Sequence, residues 1–181
     1  MTFYRYLTRL AERLDARAFL FRHGFNFSPM YRRTTARLIY VSDDLHTIRI
    51  RLPISWRNRN YLGSIFGGSM AAATDPIAMV QLINILADAY TIWDKAGEIR
   101  FRRPAREDLY AEFTYTPDEL QQLRATVAER GETDITKEIQ LTDQTGTTVY
   151  AEVRRTIYVA DRAYHREKRR AKLGGAAGGG R

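Results

Sequence analysis

The chain contains no cysteine, so neither a disulfide framework nor thiolate chemistry is open to it. Histidine is scarce: His23, His46 and His165 are scattered without metal-ligand spacing. That argues against a structural zinc site, and no metal is expected. It also leaves Ser69 without the histidine motif that a triad serine needs. No uninterrupted apolar run reaches the roughly 18 residues of a membrane span. The stretch from Met70 to Ala87 comes nearest, but Thr74, Asp75, Pro76, Gln81 and Asn84 interrupt it, and it reads as a buried core helix. The N-terminus lacks the charged-then-apolar pattern of a signal peptide. It is amphipathic and Arg-rich in the manner of an organelle transit segment, but Glu12 and Asp15 stand against import. A cytoplasmic location is therefore expected. No internal repeat is present.

What remains is a chain of 181 residues, 44% hydrophobic and 28% charged, the size and balance of one globular domain. The expected domain covers 1–160, and a basic, Gly-rich tail covers 161–181. The net charge of +8 is uneven, because the tail holds seven basic and two acidic residues. Such a tail supplies sequence-independent, salt-sensitive attraction to polyanions at most. With no stacking or readout motif beside it, nucleic acid is not an expected partner.

Apolar positions at three- and four-residue steps predict an N-terminal helix from about Phe3 to Phe21, ended by Gly24, with an irregular connector over Phe25–Pro29. Arg5, Arg9, Arg13 and Arg17 form a stripe on it, either a solvated face or a contact surface for phosphates or a protein partner. Ala36–Val41 and Thr47–Pro53 predict a hairpin around a turn at Ser42–His46. Tyr90–Lys95 with Gly97–Pro104 predicts one long or broken strand, and Leu109–Tyr115 another. Thr116-Pro117-Asp118-Glu119 has the form of a capping box and predicts a short helix to about Gln122, with a strand starting at Leu123. Ile135–Thr142 and Thr147–Val159 are two further strands around a tight turn at Asp143–Gly146. Arg162–Lys172 has helical character, and Gly174–Gly180 reads as flexible.

The densest cluster of small residues lies in Asn60–Pro76 and feeds the most apolar segment, Ile77–Ala87. A glycine turn opening a helix presents unpaired backbone N–H groups. Glycine lets a ligand approach them closely. Gly67, Gly68 and Ser69 could thus stabilise a developing oxyanion, and Asp75 could serve as general base or nucleophile. Asp75-Pro76 has a second reading, as the cap and first residue of a new helical segment after a kink. One helix apolar nearly all round needs cover on most sides. Meandering strands supply it, which predicts an α+β hotdog fold: a curved antiparallel sheet wrapped around one long central helix, with an extra N-terminal helix.

Residues from about 30 to 160 resemble the hotdog-fold acyl-CoA thioesterases. The likeness is to the phenylacetyl-CoA thioesterase type and an uncharacterised thioesterase-like branch of it. The family pattern is an Asn, then His-Gly-Gly, then an Asp nine residues after the His. Here Asn60 precedes Phe66-Gly67-Gly68, Asp75 follows Phe66 by nine, and Arg102-Arg103-Pro104-Ala105 matches a later strand end. Phe66 in the His position is the main departure, and it places an apolar ring where a polar one is usual. The resemblance implies hydrolysis of acyl-CoA to free acid and CoA, with CoA as part of the substrate and no other cofactor. It implies catalytic roles for Asp75, Asn60, Gly67 and Gly68, and substrate contacts for Phe66, Ser69 and Thr74. It also implies a homodimer or dimer of dimers, with the site at the dimer interface and Asp75 coming from the partner's helix. The alternative is a non-catalytic hotdog module that binds acyl-CoA or lipid, or serves as a structural subunit of a larger assembly.

Overall fold

The computed structural model describes residues 17–177, with side chains to residue 171. Arg5, Arg9 and Arg13 of the arginine stripe lie outside the described residues.

Helix α1 (Arg17–Phe27) runs through Gly24 rather than ending there. The reason is tertiary. Phe21 and Phe25, one turn apart, are both buried and stack with ring centroids 5.4 Å apart. Burying the second ring outweighs the roughly 1 kcal/mol that Gly costs inside a helix. The expected irregular connector is likewise helical, because a short α2 (Pro29–Arg32) starts with Pro at its first turn. Tyr31 on α2 is fully buried. Its hydroxyl donates to the Ala73 carbonyl at 3.1 Å, which ties this helix pair to the centre of the molecule. Burial holds the Tyr31 phenol above its ordinary range.

Six antiparallel strands make one sheet in the order β1-β2-β4-β5-β6-β3. They are β1 (Arg37–Val41), β2 (Thr47–Leu52), β3 (Tyr90–Phe101), β4 (Leu109–Thr114), β5 (Glu132–Thr142) and β6 (Val149–Asp161). Alternation decides the faces: Ile48, Ile50 and Leu52 are buried while Arg49 and Arg51 face water. β3 is a single strand with a bulge between Asp94 and Ala96, and it forms one edge of the sheet.

The central helix lies against the inner face in two segments, α3 (Gly67–Thr74) and α4 (Ile77–Leu86). Its stretch Gly67–Ala89 has the length and apolarity of a membrane-crossing helix, with half of that window buried inside the fold. Helical hydrogen bonds flank the junction, from Asp75 N to Ala71 O at 3.0 Å before it and from Val80 N to Pro76 O at 3.1 Å after it. Asp75 keeps helical dihedrals, φ −55° and ψ −58°, despite the proline after it. Its side chain does not cap a new helix, since α4 opens with no side-chain cap bond. The bend has two local causes. Pro76 has no N–H to offer the preceding turn, and the Thr74 hydroxyl donates back to the Met70 and Ala71 carbonyls, each at 3.1 Å.

The largest departure from the expected order is α5 (Pro117–Arg130). Half of the capping box forms, with Thr116 Oγ1 accepting from Glu119 N at 3.1 Å, while the Glu119 carboxylate accepts from Lys137 Nζ instead. The helix then continues through the segment expected to start a strand, because Leu120, Leu123 and Val127 recur at helical spacing and are all buried. Gly131, at φ +80°, ends it. β5 therefore starts at Glu132. The last helix, α6 (Arg162–Ala177), continues through Gly174 and Gly175, part of the segment expected to be flexible. Asp161 Oδ1 accepts from Ala163 N and Tyr164 N at 2.9 and 3.0 Å and caps it.

Candidate functional site

The loop before α3 is built from its own polar side chains. Asn60 Oδ1 accepts from Leu62 N at 2.9 Å and Ser64 N at 3.2 Å, and its Nδ2 donates to Ser64 Oγ at 3.0 Å. Asn60 thus closes a turn whose tip, Gly63, sits at φ +78°. Its side chain is committed to that turn and is not directed at Asp75. Buried Asn58, which sequence reasoning passed over, braces the same loop by donating to Thr35 Oγ1 at 2.8 Å and Pro53 O at 2.9 Å.

Phe66 takes the N-cap position of α3 in extended conformation. The glycines after it are packed against aromatic rings. A Cβ on Gly67 would fall 2.7 Å from Phe101 Cζ, and one on Gly68 would fall 2.2 Å from Phe66 Cε1. Both rings are more than half exposed, and they form an apolar cover over the helix start. Ser69 N already donates to Phe66 O at 2.9 Å. The amides left for a ligand are therefore those of Gly67 and Gly68, in the first helical turn where no intrahelical acceptor exists.

The Asp75 carboxylate lies at the helix bend and accepts a hydrogen bond from Arg155 Nη2. Arg155 comes from the inner face of β6 and its side chain is only 11% exposed, against 59% for that of Asp75. A second carboxylate, Asp94 on β3, stands in the same charge cluster. Burial raises the Asp94 carboxyl above its usual range, against the pull of the Arg155 charge and with the push of the Asp75 charge. Asp94 Oδ1 and Arg155 Nε are both buried without a hydrogen-bond partner among the described residues.

A cavity of about 590 Å³ opens here, lined in part by Gly68, Ala71, Ala72, Asp75, Gly97 and Arg155. Gly68 and Asp75 share it, but seven residues of helix separate them by about 10 Å. One chain's amide and its own carboxylate therefore cannot both touch a single carbonyl group. Thr74 borders the cavity too, with its hydroxyl bonded back to its own helix. Among the described residues no cluster of three or more His, Asp or Glu could hold a metal ion.

Arg155 and Asp94 were not singled out from the sequence, although a signal exists for each. Arg155 shares strand parity with Val153, Ile157 and Val159, all buried, so a cation stands where the pattern calls for an apolar residue. Asp94 shares parity with Ile92, ahead of the bulge.

Residues 18–159 match the family model described as "Domain of unknown function (DUF4442)". No curated protein matches the chain. Among solved structures, a Pseudomonas aeruginosa protein described as of unknown function and a probable thioesterase is 26% identical. Its TM-score is 0.69, and the match covers 78% of this chain and 94% of that one. A Chlorobaculum tepidum protein of unknown function is 16% identical with a TM-score of 0.62, covering 77% and 91%. A Haemophilus influenzae thioesterase is 14% identical with a TM-score of 0.57, covering 76% and 87%. The six-stranded sheet curved around its central helix is the hotdog fold.

Proposed function

The chain belongs to the DUF4442 family, a hotdog-fold, thioesterase-like family, and on that premise we propose that it hydrolyses acyl-CoA thioesters to free acid and CoA. The observation that carries this reading is that Asp75 and Gly68, a residue of the helix start, line one largely apolar cavity. The acyl chain lies against Ala71, Ala72 and the neighbouring apolar wall. The thioester carbonyl oxygen is held by the Gly67 and Gly68 amides, which stabilise the negative charge that develops on attack. Asp75 takes a proton from water as the water oxygen adds to the carbonyl carbon. The tetrahedral intermediate collapses, the C–S bond breaks, and the thiolate leaves and takes up a proton. Asp75 acting as nucleophile is the variant of the same step, with water then cleaving the acyl-enzyme anhydride.

The separation of about 10 Å between Gly68 and Asp75 favours a homodimer, in which the amides of one protomer meet the Asp75 carboxylate of its partner. The edge position of β3 and its exposed Phe101 fit such a pairing. The second reading, acyl-CoA binding without turnover, is favoured by one observation: Arg155 Nη2 donates to the Asp75 carboxylate and so occupies an oxygen that would otherwise accept from water. The test is thiol release from short-, medium- and long-chain acyl-CoAs by the wild type and Asp75→Ala. Turnover that depends on Asp75 supports hydrolysis. Saturable acyl-CoA binding with no thiol release supports the second reading.

A further inference from the structure

Arg155 is an unusual residue for its place. It sits on the inward face of β6, 9% exposed overall, in register with Lys137 on β5 and Gly97 on β3. Lys137 is already neutralised, donating to both carboxylate oxygens of Glu119 at 2.9 Å. Gly97 makes room for the guanidinium, since a Cβ there would fall 2.4 Å from Arg155 Nη1. A guanidinium has five N–H donors in a rigid fork. Here Nη2 holds Asp75, while buried Nε has no partner and buried Oδ1 of Asp94 has none either. An unused donor on Arg155 and an unused acceptor on Asp94 thus stand on adjacent strands, Asp94 being paired with Ile157, two residues along β6 from Arg155.

We propose that Arg155 and Asp94 are positioning residues of the reacting site, with the Arg155 guanidinium shared between the carboxylates of Asp75 and Asp94. Asp75 can then be released toward water without leaving the buried cation unpaired, because Asp94 accepts in its place. An uncompensated buried guanidinium would be strongly unfavourable. The inference rests on the hydrolytic reading for its catalytic meaning, but the shared guanidinium itself does not.

Asp94 also stands at a cost to stability. Its folded carboxyl holds its proton more tightly than the unfolded chain does. Its contribution is therefore most favourable below the ordinary value of 3.8 and is lost as the pH rises through the raised folded value. A group that weakens the fold at neutral pH is the kind retained for function.

The groups that bear on Asp94 are few. Asp75 faces it from the central helix and Arg155 from β6, and Tyr115 beyond β4 feels its charge. Next to it on β3, Lys95 is tied to Asp134 at 2.5 Å.

The test is carboxyl ¹³C NMR of Asp94 in the full chain. The Asp94 midpoint should lie above the ordinary range, rise further in Arg155→Met, and fall in Asp75→Asn. Asp94→Asn should be more stable than wild type at neutral pH, with the gain shrinking toward pH 3.8, yet should hydrolyse acyl-CoA more slowly. A loss in kcat on the order of tenfold with KM unchanged is expected, since the guanidinium then holds Asp75 undivided. Arg155→Lys should recover part of the kcat lost in Arg155→Met. An Asp94 midpoint that ignores both Arg155→Met and Asp75→Asn overturns the sharing. Turnover by the wild type that Asp94→Asn leaves unchanged overturns the catalytic role and leaves hydrolysis standing. The NMR coupling without thiol release from any acyl-CoA upholds the shared guanidinium and removes the hydrolytic reading.

Discussion

Arg155 on the inner face of β6 donates to the Asp75 carboxylate at the bend of the central helix, across 80 residues of sequence. This contact joins the two elements that wall the cavity. It gives the Asp75 side chain a fixed orientation, although more than half of that side chain is exposed. The bend is part of the same arrangement. Asp75 keeps helical dihedrals before a proline, which is a disfavoured combination, and the contact with Arg155 lies at that point.

The packing of Arg155 on Gly97 leads to a prediction. Gly97→Ala places a Cβ 2.4 Å from Arg155 Nη1, the far end of a flexible side chain. The guanidinium should swing away and the fold should survive. Thermal denaturation is expected to change little, while thioester turnover falls on the order of tenfold through loss of carboxylate orientation. Unchanged turnover would mean that the ion pair does not orient Asp75 for the reaction.

At the helix start the obstruction is a ring. Gly68→Ala puts a Cβ 2.2 Å from Phe66 Cε1, and the exposed ring can rotate aside. The methyl then stands where the thioester must approach the amide. A fall in kcat of roughly 10²- to 10³-fold, the usual scale for losing an oxyanion donor, is expected with near-normal stability. A Gly68→Ala protein of full activity would show that this amide makes no contact with the carbonyl.

Much of this arrangement was legible in the residues. The β1–β2 hairpin, the apolar central helix and the Phe66-Gly67-Gly68 helix start all follow from short-range pattern. The misreadings have a common physical source in tertiary burial. Gly24 looked like a helix end until Phe25 found a place beside Phe21 and Tyr31. Leu123 to Glu129 reads as a strand by itself and is helical because Leu123 and Val127 are buried with Leu120 along one helix face. In the site, the resemblance gives Asn60 its place, and the structure adds that its side chain closes a local turn. Arg155 and Asp94 escaped notice because each is one charged residue within an alternating strand. Their meaning depends on a register that no local window contains.

The cap and terminus of α5 give a prediction independent of function. Thr116→Ala removes the acceptor for Glu119 N and should cost about 1 kcal/mol. Gly131→Ala forces an alanine to φ +80° against the Tyr164 ring and should cost roughly 1–2 kcal/mol from the backbone alone. Urea denaturation of the two variants checks both, and additive losses are expected because the sites lie at opposite ends of the helix.

The most direct test of the account is thiol release from acyl-CoA by the wild type and Asp75→Asn, measured at the same protein concentration. The account predicts turnover of at least one acyl-CoA class by the wild type and a loss of roughly 10²- to 10⁴-fold in kcat for Asp75→Asn, the range for a removed general base. An Asp75→Asn protein that hydrolyses acyl-CoA as fast as the wild type would contradict it.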